Sequence, residues 1–222
     1  MIAIVDYGMG NLRSVEKGFE RVGAQAQVTR QPEVLREAAA VVLPGVGAFA
    51  RAMENLSVAG LDRAILAFIR GKRPFLGICL GQQILFEESE EFGLTKGLGV
   101  VPGRVVRFEG PAFAADRGKE TAKPPLKVPH MGWNELRVLK ACPLFMGVPK
   151  GAMGYFVHSY FGQPRDPSWV AAATDYGVSF ASALWKGNVY ACQFHPEKSG
   201  NVGLQILANF AQLAKQASER SL

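Results

Sequence analysis

The sequence predicts an α/β protein: a central, mostly parallel sheet flanked by helices, with additional antiparallel strands in the C-terminal half. Three observations predict it. Strand-like and helix-like segments alternate over the first ninety residues, which implies parallel strands joined by right-handed crossovers. A Gly-x-Cys-x-Gly pentapeptide, Gly77 to Gly81, lies between an apolar strand-like run and a run of helix formers. After Glu91, extended runs follow one another with few helical segments between them.

Ile2 to Val5 reads as the first strand and ends in Asp6-Tyr7-Gly8-Met9-Gly10-Asn11. Leu12, Val15, Phe19 and Val22 then recur at helical spacing and stop at Gly23. The Gly8/Gly10 pair is not a dinucleotide fingerprint, because no glycine follows at the required offset; a glycine-permitted turn at the sheet edge is the better reading. Gln25 to Thr29 is expected as a second strand and Val41 to Leu43 as a third, ending in the glycine-rich loop Pro44 to Phe49. Such a loop lets the backbone approach a ligand closely. Leu61 to Arg70 is expected as a helix, Pro74 to Ile78 as a buried strand, and Gln82 to Glu88 as a helix.

Extended runs are expected over Val100 to Phe108, Trp133 to Val138, Tyr155 to Tyr160, Val170 to Thr174, Ser179 to Trp185 and Val189 to Phe194. A final helix from about Asn201 to Ala217 carries Leu204, Leu207, Phe210 and Leu213 on one face. Glu109 to Lys127, rich in Gly, Pro and charge, is expected as an exposed, mobile loop.

With 222 residues and 48% hydrophobic composition, one sizeable globular domain over residues 1–222 is expected. No apolar run approaches the roughly 18 residues that span a membrane, and no signal peptide is evident at the N-terminus. Three scattered cysteines argue against a disulfide framework and for a reducing compartment, so a cytoplasmic protein is expected. Neither Cys-x-x-Cys nor His-x-x-x-His occurs, and neither a metal site nor a cofactor is expected. The net charge of +6 is dispersed, without a basic block or an aromatic ladder. A solvated surface explains it better than nucleic-acid binding, although a basic patch for an anionic small molecule or a partner stays open.

Gly77 to Gly81 has the form of a nucleophile elbow with a thiol in place of the hydroxyl. Flanking glycines relieve the clashes of the tight turn, Cys79 is pushed out at the sheet edge, a helix N-terminus beside it favours thiolate, and the Leu80 amide points where an oxyanion would form. Cys79 could equally be a buried small hydrophobe. What decides for chemistry is Gln193-Phe194-His195-Pro196-Glu197 downstream. His195 follows a strand and Glu197 can return to it, so Cys79, His195 and Glu197 can serve as nucleophile, base and orienter. His130 and His158 lack this context and suit packing or interface roles; Cys142 and Cys192 lack the elbow and are expected to be inert. Pro129 to Asn134, several large residues in a Gly/Pro-rich turn, fits a partner surface.

These motifs, together with Phe156 to Tyr160 and Lys198-Ser199, make the chain resemble the class I glutamine amidotransferases over nearly its full length. Within them it closely resembles the glutaminase subunits of imidazole glycerol phosphate synthases. The resemblance implies their flavodoxin-like fold and hydrolysis of L-glutamine through a Cys79 thioester. It implies an oxyanion site at the amides of Leu80 and Val46, and glutamine contacts from Gly47, Gln83, Glu91, Ser159 and Tyr160, with Glu91 pairing with the α-ammonium. It also implies a (β/α)8 cyclase partner that receives the ammonia. Asn11, Trp133, Asn134 and Lys198, each in a turn at or after an expected strand end, are expected to carry the face that docks it. Gln82 stands where methionine is common, and the 109–127 segment is longer than the family usually has. The alternatives are a free-standing γ-glutamyl hydrolase, an amidotransferase subunit for another acceptor, and a non-catalytic subunit of the same fold; the last has no need of all three triad residues.

Overall fold

Runs of Val, Ile, Leu and Ala with no polar alternation belong in the middle of a sheet covered on both faces, and the chain is built around several of them. A computed structural model describes residues 1–114 and 124–219. The N-terminal part runs β1 (Ile2–Val5), α1 (Leu12–Arg21), β2 (Ala26–Thr29), α2 (Pro32–Glu37), β3 (Ala40–Gly45), α3 (Phe49–Val58), α4 (Leu61–Arg70), β4 (Phe75–Cys79) and α5 (Leu80–Gln83). There follow β5 (Phe86–Ser89), β6 (Thr95–Lys96), β7 (Val101–Arg107), β8 (His130–Glu135) and β9 (Arg137–Val138). The chain then forms β10 (Met153–His158), β11 (Tyr160–Pro164), β12 (Val170–Tyr176), β13 (Val178–Lys186), β14 (Val189–Cys192) and α6 (Gly200–Glu219).

The main sheet has the strand order β2-β1-β3-β4-β14-β13-β12-β9. Neighbours from β2 through β14 are parallel, and the rest are antiparallel. The ends of β1, β3, β4 and β14 therefore open on one edge, bringing together Asp6–Asn11, Pro44–Phe49, Cys79 and Gln193–Glu197. A four-stranded sheet, β11-β7-β5-β6, and a ribbon, β10-β8, complete the C-terminal half. One face of the main sheet is closed by α1 and α6, with Phe19 and Phe210 fully buried. The other is closed by α2, α3 and α4 through Leu35, Phe49, Leu56 and Phe68. Each such side chain contributes roughly 1.5–3 kcal/mol of hydrophobic burial. Among the described residues no helix is long and apolar enough to cross a membrane.

Three expectations need correction. The run Gln82 to Glu88 is not one helix: α5 stops at Gln83 and Phe86–Ser89 is a strand. Intrinsic propensity is a weak prior, and pairing overrides it here. Phe86 lies opposite Val101, Glu88 opposite Arg104 and Lys96, and the Phe86 ring fills the space where Gly162 lacks a Cβ. The run Tyr155 to Tyr160 is not one strand either, since β10 and β11 meet at Ser159 and belong to different sheets. Likewise Trp133 to Val138 divides between β8 and β9. Helices α2 and α3 lie where no element was expected. Of the expected loop Glu109 to Lys127, residues 115–123 lie outside the described residues, while its flanks meet through Leu126 N–H donating to the Ala112 carbonyl at 2.8 Å.

Candidate active site

Cys79 ends β4 with φ 55° and ψ −110°, a conformation that L-residues avoid and that is kept only where surroundings enforce it. The enforcement comes from its glycines. A Cβ on Gly81 would lie 1.8 Å from the Leu43 carbonyl oxygen, and one on Gly77 would lie 2.6 Å from the Gly81 oxygen. The turn packs against neighbouring β3 with no room for side chains, and Cys79 is left projecting into a cleft of about 780 Å³. The helix that follows is a single turn, and Gln193 Nε2 donates to Cys79 Sγ at 3.7 Å.

The cleft is lined by Val46, Gly47, Cys79, Leu80, Gln83, Glu91, Phe92, Arg107, Pro129 and Val157 to Tyr160. All the residues expected at an oxyanion site or around glutamine thus border one cavity. His195 and Glu197 stand behind Cys79. His195 Nδ1 donates to Glu197 Oε1 at 2.8 Å, and the two side chains are 3% and 1% exposed. A tight turn at Pro196–Lys198 returns the carboxylate to the ring. His195 Nε2 is buried and meets no partner at full hydrogen-bond geometry; catalytic hydrogen bonds are often loose before substrate binds. Burial opposes charging of the imidazole, but interaction with Cys79 and then with Glu197 outweighs it and lifts the pKa to about 10.

Other groups are already committed. Glu91 Oε2 accepts from the Phe49 amide at 2.6 Å, at the start of α3. Gln83 Nε2 donates both to the Tyr160 carbonyl at 2.8 Å and to Gln193 Oε1 at 3.0 Å. The Ser159 carbonyl accepts from the Phe108 amide. Burial raises the Cys142 thiol to about 11 and the Cys192 thiol well above its ordinary value.

A match to the class I glutamine amidotransferase family model spans residues 3–213. The chain belongs to the class I glutamine amidotransferases. Among similar proteins, the imidazole glycerol phosphate synthase subunit HisH of Syntrophotalea carbinolica is 54% identical over 213 residues, covering 96% of this chain and all of that one. The subunit of the same name from Geobacter sulfurreducens is 55% identical over 212 residues, covering 96% and 98%. At the level of fold, a glutamine amidotransferase crystal structure aligns with TM-score 0.70 at 20% identity, covering 97% of this chain and 100% of that one. PurLQS from Thermotoga maritima aligns with TM-score 0.66 at 19% identity, covering 97% of each.

In this amidotransferase, of the four residues expected to face a partner, three are exposed and Asn134 is half-buried. Trp133 is 53% exposed and stands edge-on to Tyr155; Lys198 and Asn11 are exposed. Adjacent residues of a strand point to opposite faces, so Asn134 turns inward, donating through Nδ2 to the Asp175 carbonyl at 3.1 Å and to His130 Nε2 at 3.3 Å. Sequence reasoning missed Gln193, buried as the residue two before His195, and Arg107, which brings a positive charge to the cleft opposite in sign to Glu91. The position of Gln193 at the end of a strand entering the His195 motif was a usable signal; for Arg107 there was none.

Proposed function

We infer that this chain is the glutaminase subunit of an imidazole glycerol phosphate synthase, hydrolysing glutamine to glutamate and ammonia for histidine biosynthesis. The observation that carries this reading is the buried His195–Glu197 pair behind a strained Cys79, in a chain more than half identical to subunits of that synthase. That identity favours this acceptor pathway over another amidotransferase.

Cys79 Sγ attacks the side-chain amide carbon of glutamine while His195, cationic at pH 7, already holds at Nε2 the proton the reaction needs. Glu197 holds the ring in the required orientation and stabilises its cation. The tetrahedral oxyanion lies against the amides of Leu80 and Val46. Collapse breaks the C–N bond, and ammonia leaves with the proton from His195. Water then gives a proton to His195 and attacks the thioester, releasing glutamate and returning Cys79 and the cationic His195 to their starting state.

Glutamine is a zwitterion at its α-carbon, and the cleft offers one charge for each end. Glu91 receives the α-ammonium and Arg107 the α-carboxylate. With both amide hydrogens of Gln83 committed, its free carbonyl oxygen faces substrate as an acceptor. The carbonyls of Ser159 and Tyr160 are also committed, so their contribution comes from N–H groups and side chains.

The partner is a (β/α)8 cyclase that uses the ammonia, and it docks on the outer face of the β8–β10 ribbon. Met131, Trp133 and Met153 are exposed there. Trp133 reaches to 3.9 Å from where a Gly200 Cβ would be, close to Lys198. The ribbon is tied to the base, since His195 N–H donates to the Tyr155 carbonyl and Tyr155 N–H to Ser199 Oγ, each at 2.9 Å. The test is to mix the chain with the cyclase and measure glutamate and imidazole product in one reaction. Trp133→Ala and Lys198→Ala should weaken the complex or lower the product-to-glutamate ratio. Wild-type affinity and ratio in both would place the docking face elsewhere.

A further inference from the structure

Two buried histidines outside the triad form a hydrogen-bond chain whose direction can be worked out atom by atom. His158 Nδ1 lies 2.8 Å from the Tyr160 carbonyl, which can only accept, so Nδ1 carries the proton. His130 Nδ1 lies 3.0 Å from His158 Nε2. Both rings are buried in an aromatic cage. His130 stacks on Tyr176 and Phe156, and His158 packs on Phe108, Phe156 and Phe180. Burial holds the pKa of His130 down at about 4 and that of His158 at about 3, so both are neutral at pH 7. A neutral His158 protonated at Nδ1 has a lone pair at Nε2; His130 must therefore donate from Nδ1 and accept at Nε2. Asn134 Nδ2 supplies that last bond at 3.3 Å, its own orientation set by Oδ1 accepting from the Glu135 amide at 2.8 Å.

The inner end of the chain enters the catalytic cleft. The Tyr160 carbonyl that accepts from His158 also accepts from Gln83 Nε2, which donates further to Gln193 Oε1. Gln193 Nε2 in turn donates to Cys79 Sγ. From Asn134 to the sulfur every donor meets an acceptor, with the histidine arm and the Gln83 arm converging on the Tyr160 carbonyl. A reversal of either histidine tautomer would set two acceptors or two donors against each other in a buried site, which costs more than the loss of one bond.

We infer that His158 and His130 are positioning residues for the Cys79 site, acting as a relay through the Tyr160 carbonyl, which His158 fixes and to which Gln83 also donates, to orient the Gln83 and Gln193 amides around the nucleophile. Gln83 is thereby held with its carbonyl available to substrate and Gln193 with its N–H group on the sulfur. The kinetic consequence rests on the glutaminase reading; the structural consequence does not.

Two measurements test the relay. Nitrogen NMR of the wild-type protein at pH 7 should find His130 and His158 both neutral and protonated at Nδ1, the tautomer that free imidazole side chains disfavour. Either ring protonated at Nε2, or charged, overturns the relay. The second measurement compares His158→Asn, whose amide keeps a donor near the Nδ1 position, with His158→Gln, which keeps only the Nε2 position. Cys79 alkylation by iodoacetamide, followed on its peptide, should slow by roughly tenfold in His158→Gln, less than the roughly 10²-fold that a 1 Å misplacement of a reacting group can cost. His158→Asn should recover most of that rate, and kcat for glutamine should follow the same order. Equal rates in the two folded variants, or the reverse order, overturn the proposal. Should His158→Gln fail to fold, the NMR result decides alone. If the tautomers and the alkylation order hold but the wild-type protein with its cyclase hydrolyses no glutamine, the functional reading fails and the relay stands.

Discussion

Ile78 lies opposite Cys192 across the parallel strands β4 and β14, and this register places Cys79 beside Gln193 as both chains leave the sheet. His195 follows two residues later. The nucleophile and its base come from segments more than a hundred residues apart, and a one-residue slip between these strands would separate them. In the proposed mechanism Cys79 forms the bond, whereas Glu197 acts only through His195.

Glu197→Gln is therefore expected to lower glutaminase activity less than Cys79→Ala. Acid–base groups contribute on the order of 10² to 10⁴ in rate, which bounds the loss. Single-turnover glutamine hydrolysis in both folded variants checks it, and equal losses would contradict the ranking.

Gly81→Ala is expected to destabilise the fold as well as the site. Its Cβ would be 1.8 Å from the Leu43 oxygen, a backbone atom of β3 that cannot move aside alone. Overpacking costs about 1–3 kcal/mol and occasionally more, so a urea unfolding midpoint well below wild type is expected. An unchanged midpoint would show that the elbow can relax.

Arg107→Ala is expected to raise KM for glutamine with a smaller change in kcat, because the α-carboxylate lies away from the bond being broken. A loss of about tenfold in affinity is the scale of a hydrogen bond to a charged group. Initial-rate kinetics with glutamine decide it; unchanged KM would remove Arg107 from substrate binding.

The histidines should shape the pH dependence of stability. His130 and His158 are depressed to about 4 and about 3, mainly by burial, whereas unfolded histidine titrates near 6.5. Between these values the unfolded state binds more protons, so stability falls as pH drops from about 6.5 towards about 4. His195, raised to about 10, works in the opposite direction. Its contribution is full below about pH 6.5 and is lost as pH rises through about 10. Urea midpoints across the two ranges check both limbs, and the acid limb should flatten in His158→Asn. A midpoint that does not change between about pH 7 and about pH 5 would contradict the acid limb.

Much of the sheet was legible because its strands carry unbroken apolar runs. Leu61 to Arg70 and the last helix were legible because apolar residues recur at helical spacing. The run Gln82 to Glu88 misled because Phe86 to Glu88 are held extended by strands β6 and β7, and local composition does not encode that pairing. The cleft-lining position of Leu80 followed from the elbow motif, and those of Val46, Gln83 and Glu91 from the family resemblance. Gln193 was hidden because its role depends on the register of β4 and β14, and Asn134 because the face a strand residue takes depends on its partner strand. Arg107 looked like any surface arginine until folding placed it at the cleft.

In the proposed function Cys79 serves only to release ammonia for a reaction completed on the partner. The most direct measurement assembles Cys79→Ala with the proposed cyclase partner and follows imidazole product, first with glutamine and then with ammonium salt. No glutamine-dependent product and near wild-type product with ammonium are expected. Loss of both activities in an assembled complex, or persistence of the glutamine-dependent one, would contradict this reading.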